Sequence, residues 1–265
     1  MRLIMMGTGP FALPTFCQLY QTRHVVVALV TGPVRTHPGR PLAPPSSIRD
    51  VAREHATPIF DPEDVNTAPA RDRLAAYEAD LIVLCDYGQI LSAETLGTTR
   101  SGGLNLHGSL LPSYRGAAPV HWAIYHGETE TGVTVIHMTP KVDAGPCVAQ
   151  ARLAIEPDET AVELEARLAE LGAGLMRGAI DSLETGGWQA LPQDPARASK
   201  APRLKKSDGQ IDWTRPAEAI RNQVRAMDPW PRAYTFWHRP AAAPVRLILG
   251  PVSVVELAGR DTRPG

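Results

Sequence analysis

The sequence predicts an α/β fold, with a doubly wound, mostly parallel sheet followed by a small β-rich C-terminal piece. Three observations predict it. Apolar runs at residues 2–6, 25–31 and 80–85 are continuous, as expected of strands buried on both faces, and they alternate with stretches of helical periodicity. The first run ends in Gly7-Thr8-Gly9-Pro10-Phe11-Ala12, turn chemistry that joins a strand to a helix. A stretch rich in Gly, Pro, Gln and Asp at 186–201 then separates this alternation from two strand-like runs at 234–237 and 245–249. The expected organisation is a main domain over 1–187, a linker over 188–206 and a small domain over 207–265.

Each element follows from its residues. Gly7-x-Gly9-x-x-Ala12 after a strand has the form of a dinucleotide fingerprint, which needs a tight turn and an exposed helix N-terminus. A nicotinamide-binding unit also places an acid after the second strand for the ribose. Here that position reads Thr31-Gly32-Pro33-Val34-Arg35, so the turn reads as a generic Rossmann-like first turn. Residues 36–47 form a Pro-, Gly- and Arg-rich loop without periodicity, and 48–55 and 120–126 read as helices. Residues 128–138 give a turn and then a strand, and residues 156–185 carry the helical spacing of Val162, Leu164, Leu168, Leu171, Leu175 and Ile180.

Composition narrows the function classes. The 265 residues are 43% hydrophobic and 21% charged, which suits a globular protein, and 25 prolines point to rigid loops. Net charge is −1, yet residues 200–265 hold 12 Lys/Arg against 6 Asp/Glu, so the C-terminal end is locally basic. Three widely spaced cysteines make neither a disulfide framework nor a metal site, which suits a reducing cytoplasm. No apolar run reaches membrane-spanning length, so no membrane partner is expected. The eight histidines show no metal spacing, and Ser109 lies in a Pro-bounded loop without the Gly-x-Ser-x-Gly elbow of a serine hydrolase.

The chemistry concentrates at Leu104-Asn105-Leu106-His107. Alternation puts the amide of Asn105 and the imidazole of His107 on one face of a strand, supplying an oxyanion donor and a proton-transfer group side by side. A core histidine beside a strand-end asparagine would give the same pattern. Downstream, Asp143-Ala144-Gly145 allows a sharp turn that leaves a carboxylate projecting, although Asp-x-Gly more commonly caps a turn.

The longer run Asn105-Leu106-His107-Gly108-Ser109-Leu110-Leu111-Pro112, then Arg115-Gly116-Ala117-Ala118-Pro119, resembles the signature loop of folate-dependent formyltransferases. The opening Gly7-Thr8-x-x-Phe11-Ala12, the segment Tyr87-Gly88-x-Ile90-Leu91 and the run Lys205-Lys206 to Asp228-Pro-Trp-Pro231 extend the resemblance over nearly the whole chain. Within the family it is closest in kind to the branch acting on methionyl-tRNA.

The resemblance implies formyl transfer from 10-formyltetrahydrofolate to an amine, without a metal. It implies catalytic roles for Asn105, His107 and Asp143. Tyr87, Gly88, Ile90 and Leu91 would line the pterin pocket through backbone groups, and Ser109, Leu110, Leu111 and Pro112 would hold the folate side. Arg115 would position anionic substrate groups, with loop rigidity as the other reading of its place in the loop. In the resembled family the loop corresponding to that around Arg40 contacts the acceptor end of tRNA, and the local basic charge makes Lys200, Arg203, Lys205 and Lys206 candidate phosphate contacts, with plain solvated surface charge as the alternative. A monomer is expected, with an OB-like C-terminal barrel that is incomplete. The acid usual near the start of the tRNA-contacting loop is replaced by Val34. A nucleotide-linked amino sugar is the alternative acceptor, and hydrolysis of the formyl donor is a third possibility.

The missing ribose acid carries a test. Neither NAD nor NADP should quench tryptophan fluorescence saturably at micromolar concentration. Quenching with such an affinity would restore the dehydrogenase reading.

Overall fold

The computed structural model describes residues 1–34, 47–240 and 242–255. Arg40 and the loop around it therefore lie outside the described residues. In order, the chain forms β1 (Arg2–Gly7), α1 (Leu13–Leu19), β2 (Val25–Val30), α2 (Ser47–Glu54), β3 (Ile59–Phe60) and α3 (Ala68–Ala75). It continues with β4 (Leu81–Cys85), α4 (Ala93–Leu96), β5 (Gly103–His107), α5 (Pro119–Tyr125), β6 (Glu130–His137) and β7 (Cys147–Ala154). Last come α6 (Ala161–Glu184), α7 (Ala217–Ala226), β8 (Tyr234–Trp237) and β9 (Val245–Ile248).

The main sheet has the order β3-β2-β1-β4-β5-β6-β7. Its first five members pair in parallel, whereas β5–β6 and β6–β7 are antiparallel. Burial explains the continuous apolar runs. Leu3 and Met5 of β1 face one core with α1, α5 and α6, while Ile4 and Met6 face a second core with Leu74 of α3 and Leu96 of α4. Both faces are covered, so polar alternation has no place in the central strands. The expected doubly wound sheet is present, with an antiparallel extension that the sequence pattern did not specify beyond β6.

The longest helix, α6, starts with a reciprocal cap. The Thr160 hydroxyl accepts from the Glu163 N–H, and the Glu163 carboxylate accepts from the Thr160 N–H at 2.8 Å. This pairing satisfies two donors that a helix start leaves free. Ile211, Ile220, Val224 and Ala233 form a small separate core, with Leu249 packed against it, and β8 and β9 pair antiparallel. Among the described residues no helix is long and apolar enough to cross a membrane.

The underside of β5 rests on α6 at Gly172. A Cβ placed there would lie 2.5 Å from Leu106 Cδ2, whereas Gly174, exposed on the same helix, has nothing within 4 Å. Gly174→Ala should therefore raise stability by about 1 kcal/mol through helix propensity. Gly172→Ala should lose that gain to overpacking against Leu106, which costs about 1–3 kcal/mol. Urea unfolding of the two variants reads the signs, and equal stabilisation by both would contradict this packing.

Candidate active site

A cavity of about 450 Å³ opens beyond the C-terminal ends of β1, β4 and β5. It lies beside the point where the strand order turns from β2 on one side of β1 to β4 on the other. Open α/β sheets leave a crevice at such a switch point, because the flanking loops diverge to opposite faces. Phe11 lines it after β1, Asp86 to Ile90 after β4, and Asn105 and His107 at the end of β5. A smaller cavity of about 90 Å³ adjoins it, walled by Leu91, Ile136, Met138 and Lys141. The two share Leu84, Gln89, Ile90, Asn105, Val142 and Asp143.

The antiparallel turn of the chain after β5 places the third polar residue. β6 runs back along β5, pairing Asn105 with Ile136 and His107 with Thr134, and the following turn returns Asp143 to the cavity. Asp143 adopts φ 48°, a left-handed conformation uncommon for a residue with a side chain. Its Oδ1 accepts from Asn105 Nδ2 at 3.2 Å, and its Oδ2 accepts from the Gly116 N–H at 2.9 Å. His107 Nδ1 lies 3.6 Å from Oδ2, beyond hydrogen-bond range but within an ion-pair distance. Asn105 and His107 are both buried.

This arrangement assigns the protons. His107 Nε2 lies 2.9 Å from the Tyr114 carbonyl oxygen, which can only accept, so Nε2 carries a hydrogen. Nδ1, facing Asp143, is then the atom free to gain or lose one. Asn105 spends one amide hydrogen on Asp143 and keeps a second for another acceptor. The cluster can thus donate to a developing oxyanion and receive a proton from an attacking group.

A second set of titratable groups faces the larger cavity. Asp86, at φ 50°, is open to the cavity yet flanked closely enough that desolvation raises its pKa, partly opposed by the Gly9 N–H. Desolvation also raises Glu165 of α6, with the charge of Asp86 adding to it, and burial lowers His121. The Asp86 carboxylate occupies the Gly-x-Gly turn itself. A Cβ at Gly9 would lie 1.9 Å from its Oδ2. An anionic pyrophosphate at that turn would meet a carboxylate.

The other expected site residues divide. Tyr87, Gly88 and Ile90 line the larger cavity and Ile90 and Leu91 the smaller one, with the Tyr87 side chain buried and its pKa raised by desolvation. Ser109, Leu110, Leu111 and Pro112 line neither. Ser109 is fully buried, with its hydroxyl donating to the Ser113 carbonyl at 2.6 Å. The Leu111 N–H donates to Thr134 Oγ1 at 3.1 Å, and Leu110 packs over Gly132, so this loop supports the site from below. Arg115 points away from the cavity to Gln193. Lys205 and Lys206 are exposed, whereas Arg203 lines the cavity mouth. Gln193, Asp86, Glu165 and His121 were not singled out by sequence reasoning, because isolated polar residues carry no periodicity or spacing.

Comparison with known proteins gives the family. Residues 1–180 match the family described as Formyl transferase, and residues 203–265 match Formyl transferase, C-terminal domain. The methionyl-tRNA formyltransferase of Rhodopirellula baltica is 46% identical over 245 residues, spanning 89% of this chain and 73% of that one. That of Geobacter sulfurreducens is 42% identical over 237 residues, spanning 89% and 74%. Among solved structures, a sugar N-formyltransferase from a Shewanella species superposes with a TM-score of 0.71 at 16% identity, covering 96% of this chain and 99% of that one. HypX from Aquifex aeolicus, in complex with tetrahydrofolic acid, gives 0.63 at 19% identity over 88% and 35%. At such identities these structures speak to fold alone. With a family match over most of its length and relatives above 40% identity, the chain belongs to the formyl transferase family.

Proposed function

We propose that this chain transfers the formyl group of 10-formyltetrahydrofolate to the α-amino group of methionyl initiator tRNA. The observation that carries this reading is the Asn105–Asp143–His107 cluster, with Asn105 and Asp143 on the wall shared by two adjoining cavities and His107 lining the larger one, in a chain of the formyl transferase family. The methionyl-tRNA formyltransferases at 38–46% identity favour the tRNA acceptor. Binding of folate compounds by HypX and by the Helicobacter canadensis N-formyltransferase favours the donor class.

In this reading the pterin lies against Tyr87 to Leu91, where the two cavities meet, and the acceptor amine enters from the larger one. The amine attacks the formyl carbon, a C–N bond forms, and the carbonyl oxygen becomes an oxyanion. The free Asn105 amide hydrogen and protonated His107 Nδ1 donate to it. Asp143, directly or through water, takes the proton the amine loses. Collapse of the intermediate breaks the bond to the folate nitrogen, which leaves as an amine on taking up the proton that Asp143 received. A nucleotide-linked amino sugar is the second reading, favoured only by the fold likeness to sugar enzymes such as the Shewanella one.

His107→Ala and Asp143→Ala should each lower kcat by about 10²-fold or more while leaving folate affinity within a few-fold. Near-normal turnover in His107→Ala would end the mechanism. For the acceptor, binding of methionyl-tRNA should weaken steeply with salt. The Lys205→Ala/Lys206→Ala double variant should bind more weakly, with a log–log salt slope shallower by about 2. Turnover at saturating tRNA should be unchanged in that variant, since both lysines lie outside the cavities. Salt-independent binding at low ionic strength would favour the sugar reading.

A further inference from the structure

The linker between the two family-matched regions is built into the active site. Leu191 exchanges both backbone hydrogen bonds with Cys147 at 2.8 Å each. Eight to ten residues on, the chain pairs with the signature loop. The Arg115 N–H donates to the Ser199 carbonyl at 2.9 Å, the Ala201 N–H to the Arg115 carbonyl at 2.7 Å, and the Ala118 N–H to the Ala201 carbonyl at 3.2 Å. The Tyr114 N–H donates to Ser199 Oγ at 2.8 Å. A Cβ on Gly116, at φ 126°, would lie 2.5 Å from the Ala201 carbonyl oxygen, so the strap sits directly on the residue whose N–H holds Asp143.

Between the two anchor points lies Gln193, and it spends its whole amide on the site. Nε2 donates to the backbone carbonyls of Asp143 at 2.8 Å and Gly145 at 2.6 Å. Oε1 accepts from Arg115 Nε at 3.0 Å and Nη2 at 2.7 Å. One side chain therefore ties the Asp143 turn to the residue preceding Gly116. Asp143 and Tyr114 both hold left-handed backbones, at φ 48° and 62°, which persist only when neighbours over-determine them. Gln193 bonds to Asp143 directly and to Arg115, which follows Tyr114.

We infer that Gln193 is a positioning residue for the transfer reaction, holding the Asp143 turn and the Gly116 N–H in the geometry that aims the Asp143 carboxylate at Asn105 and His107. This rests on the proposed role of Asp143 as proton acceptor. Arg115 takes a different part from the anion contact expected of it: its guanidinium is the second arm of the same brace.

Two substitutions separate positioning from general stability. Gln193→Glu keeps oxygen acceptors for Arg115 but has no N–H for the Asp143 and Gly145 carbonyls, and Gln193→Met keeps the length and loses both arms. Both should lower kcat by about 10- to 100-fold, the range expected when a reacting group is displaced by about an ångström. The KM for 10-formyltetrahydrofolate should stay within about 2-fold. Exchange of the Gly116 amide hydrogen, followed by NMR, should quicken by about 10-fold or more in both as its bond to Asp143 loosens. Wild-type kcat in Gln193→Glu, or unchanged Gly116 exchange in both variants, would overturn the inference. If the unsubstituted protein transfers formyl to no acceptor, the proposed function falls, and the Gly116 exchange alone then decides the role of Gln193.

Discussion

A carboxylate near the protein interior needs partners for its charge, and the partners of Asp143 fix the active region. Leaving such a group without hydrogen bonds would cost several kcal/mol or force it to neutralise. Here Asn105 and Gly116 donate to its two oxygens, and His107 faces one of them. These donors come from the end of β5 and from the loop after it, so the charge can be satisfied only if strand, loop and returning turn are all in register. The same bonds orient the side chains that the proposed chemistry uses.

The sheet supplies the register. β5 is the last parallel member, and the antiparallel return of β6 carries the chain back along it to Asp143. Thr134 on β6 accepts from the Leu111 N–H and donates to the Ser109 carbonyl, so the signature loop is fastened to the strand that delivers Asp143. Gln150 of β7 donates to both Thr134 and the Leu111 carbonyl. Ser109-Leu110-Leu111-Pro112 thus has a structural part here. Its polar groups are consumed holding the floor of the site, and none of its four residues reaches the cavity wall.

Most of the main domain was legible because its signals are local. Strands covered on both faces read as unbroken apolar runs, and α6 announces itself by periodicity. Asn105 and His107 could be placed on one face because alternation within a strand is a two-residue rule. Asp143 was found through family resemblance, since nothing in Asp-x-Gly distinguishes a catalytic turn from an ordinary one. The strand β7 and the helix α7 were not anticipated, as mixed burial along β7 weakens its pattern. Gln193 was invisible for a deeper reason. It is a polar residue in a linker without periodicity, and its partners lie 78 and 50 positions away. The pairing of Arg115 with Gln193 was unreadable for the same reason, since the loop position alone suggested either a contact with anionic substrate groups or loop rigidity.

Where the formyl carbon goes decides between tRNA, an amino sugar and water as its acceptor. The direct measurement is a single-turnover reaction with 10-formyltetrahydrofolate labelled at the formyl carbon, with methionyl-tRNA and a nucleotide-linked amino sugar present together in water. The label is expected on the α-amino group of the methionyl-tRNA, with tetrahydrofolate released in equal amount. Label on the sugar amine, or released as free formate with both acceptors unmodified, would contradict it.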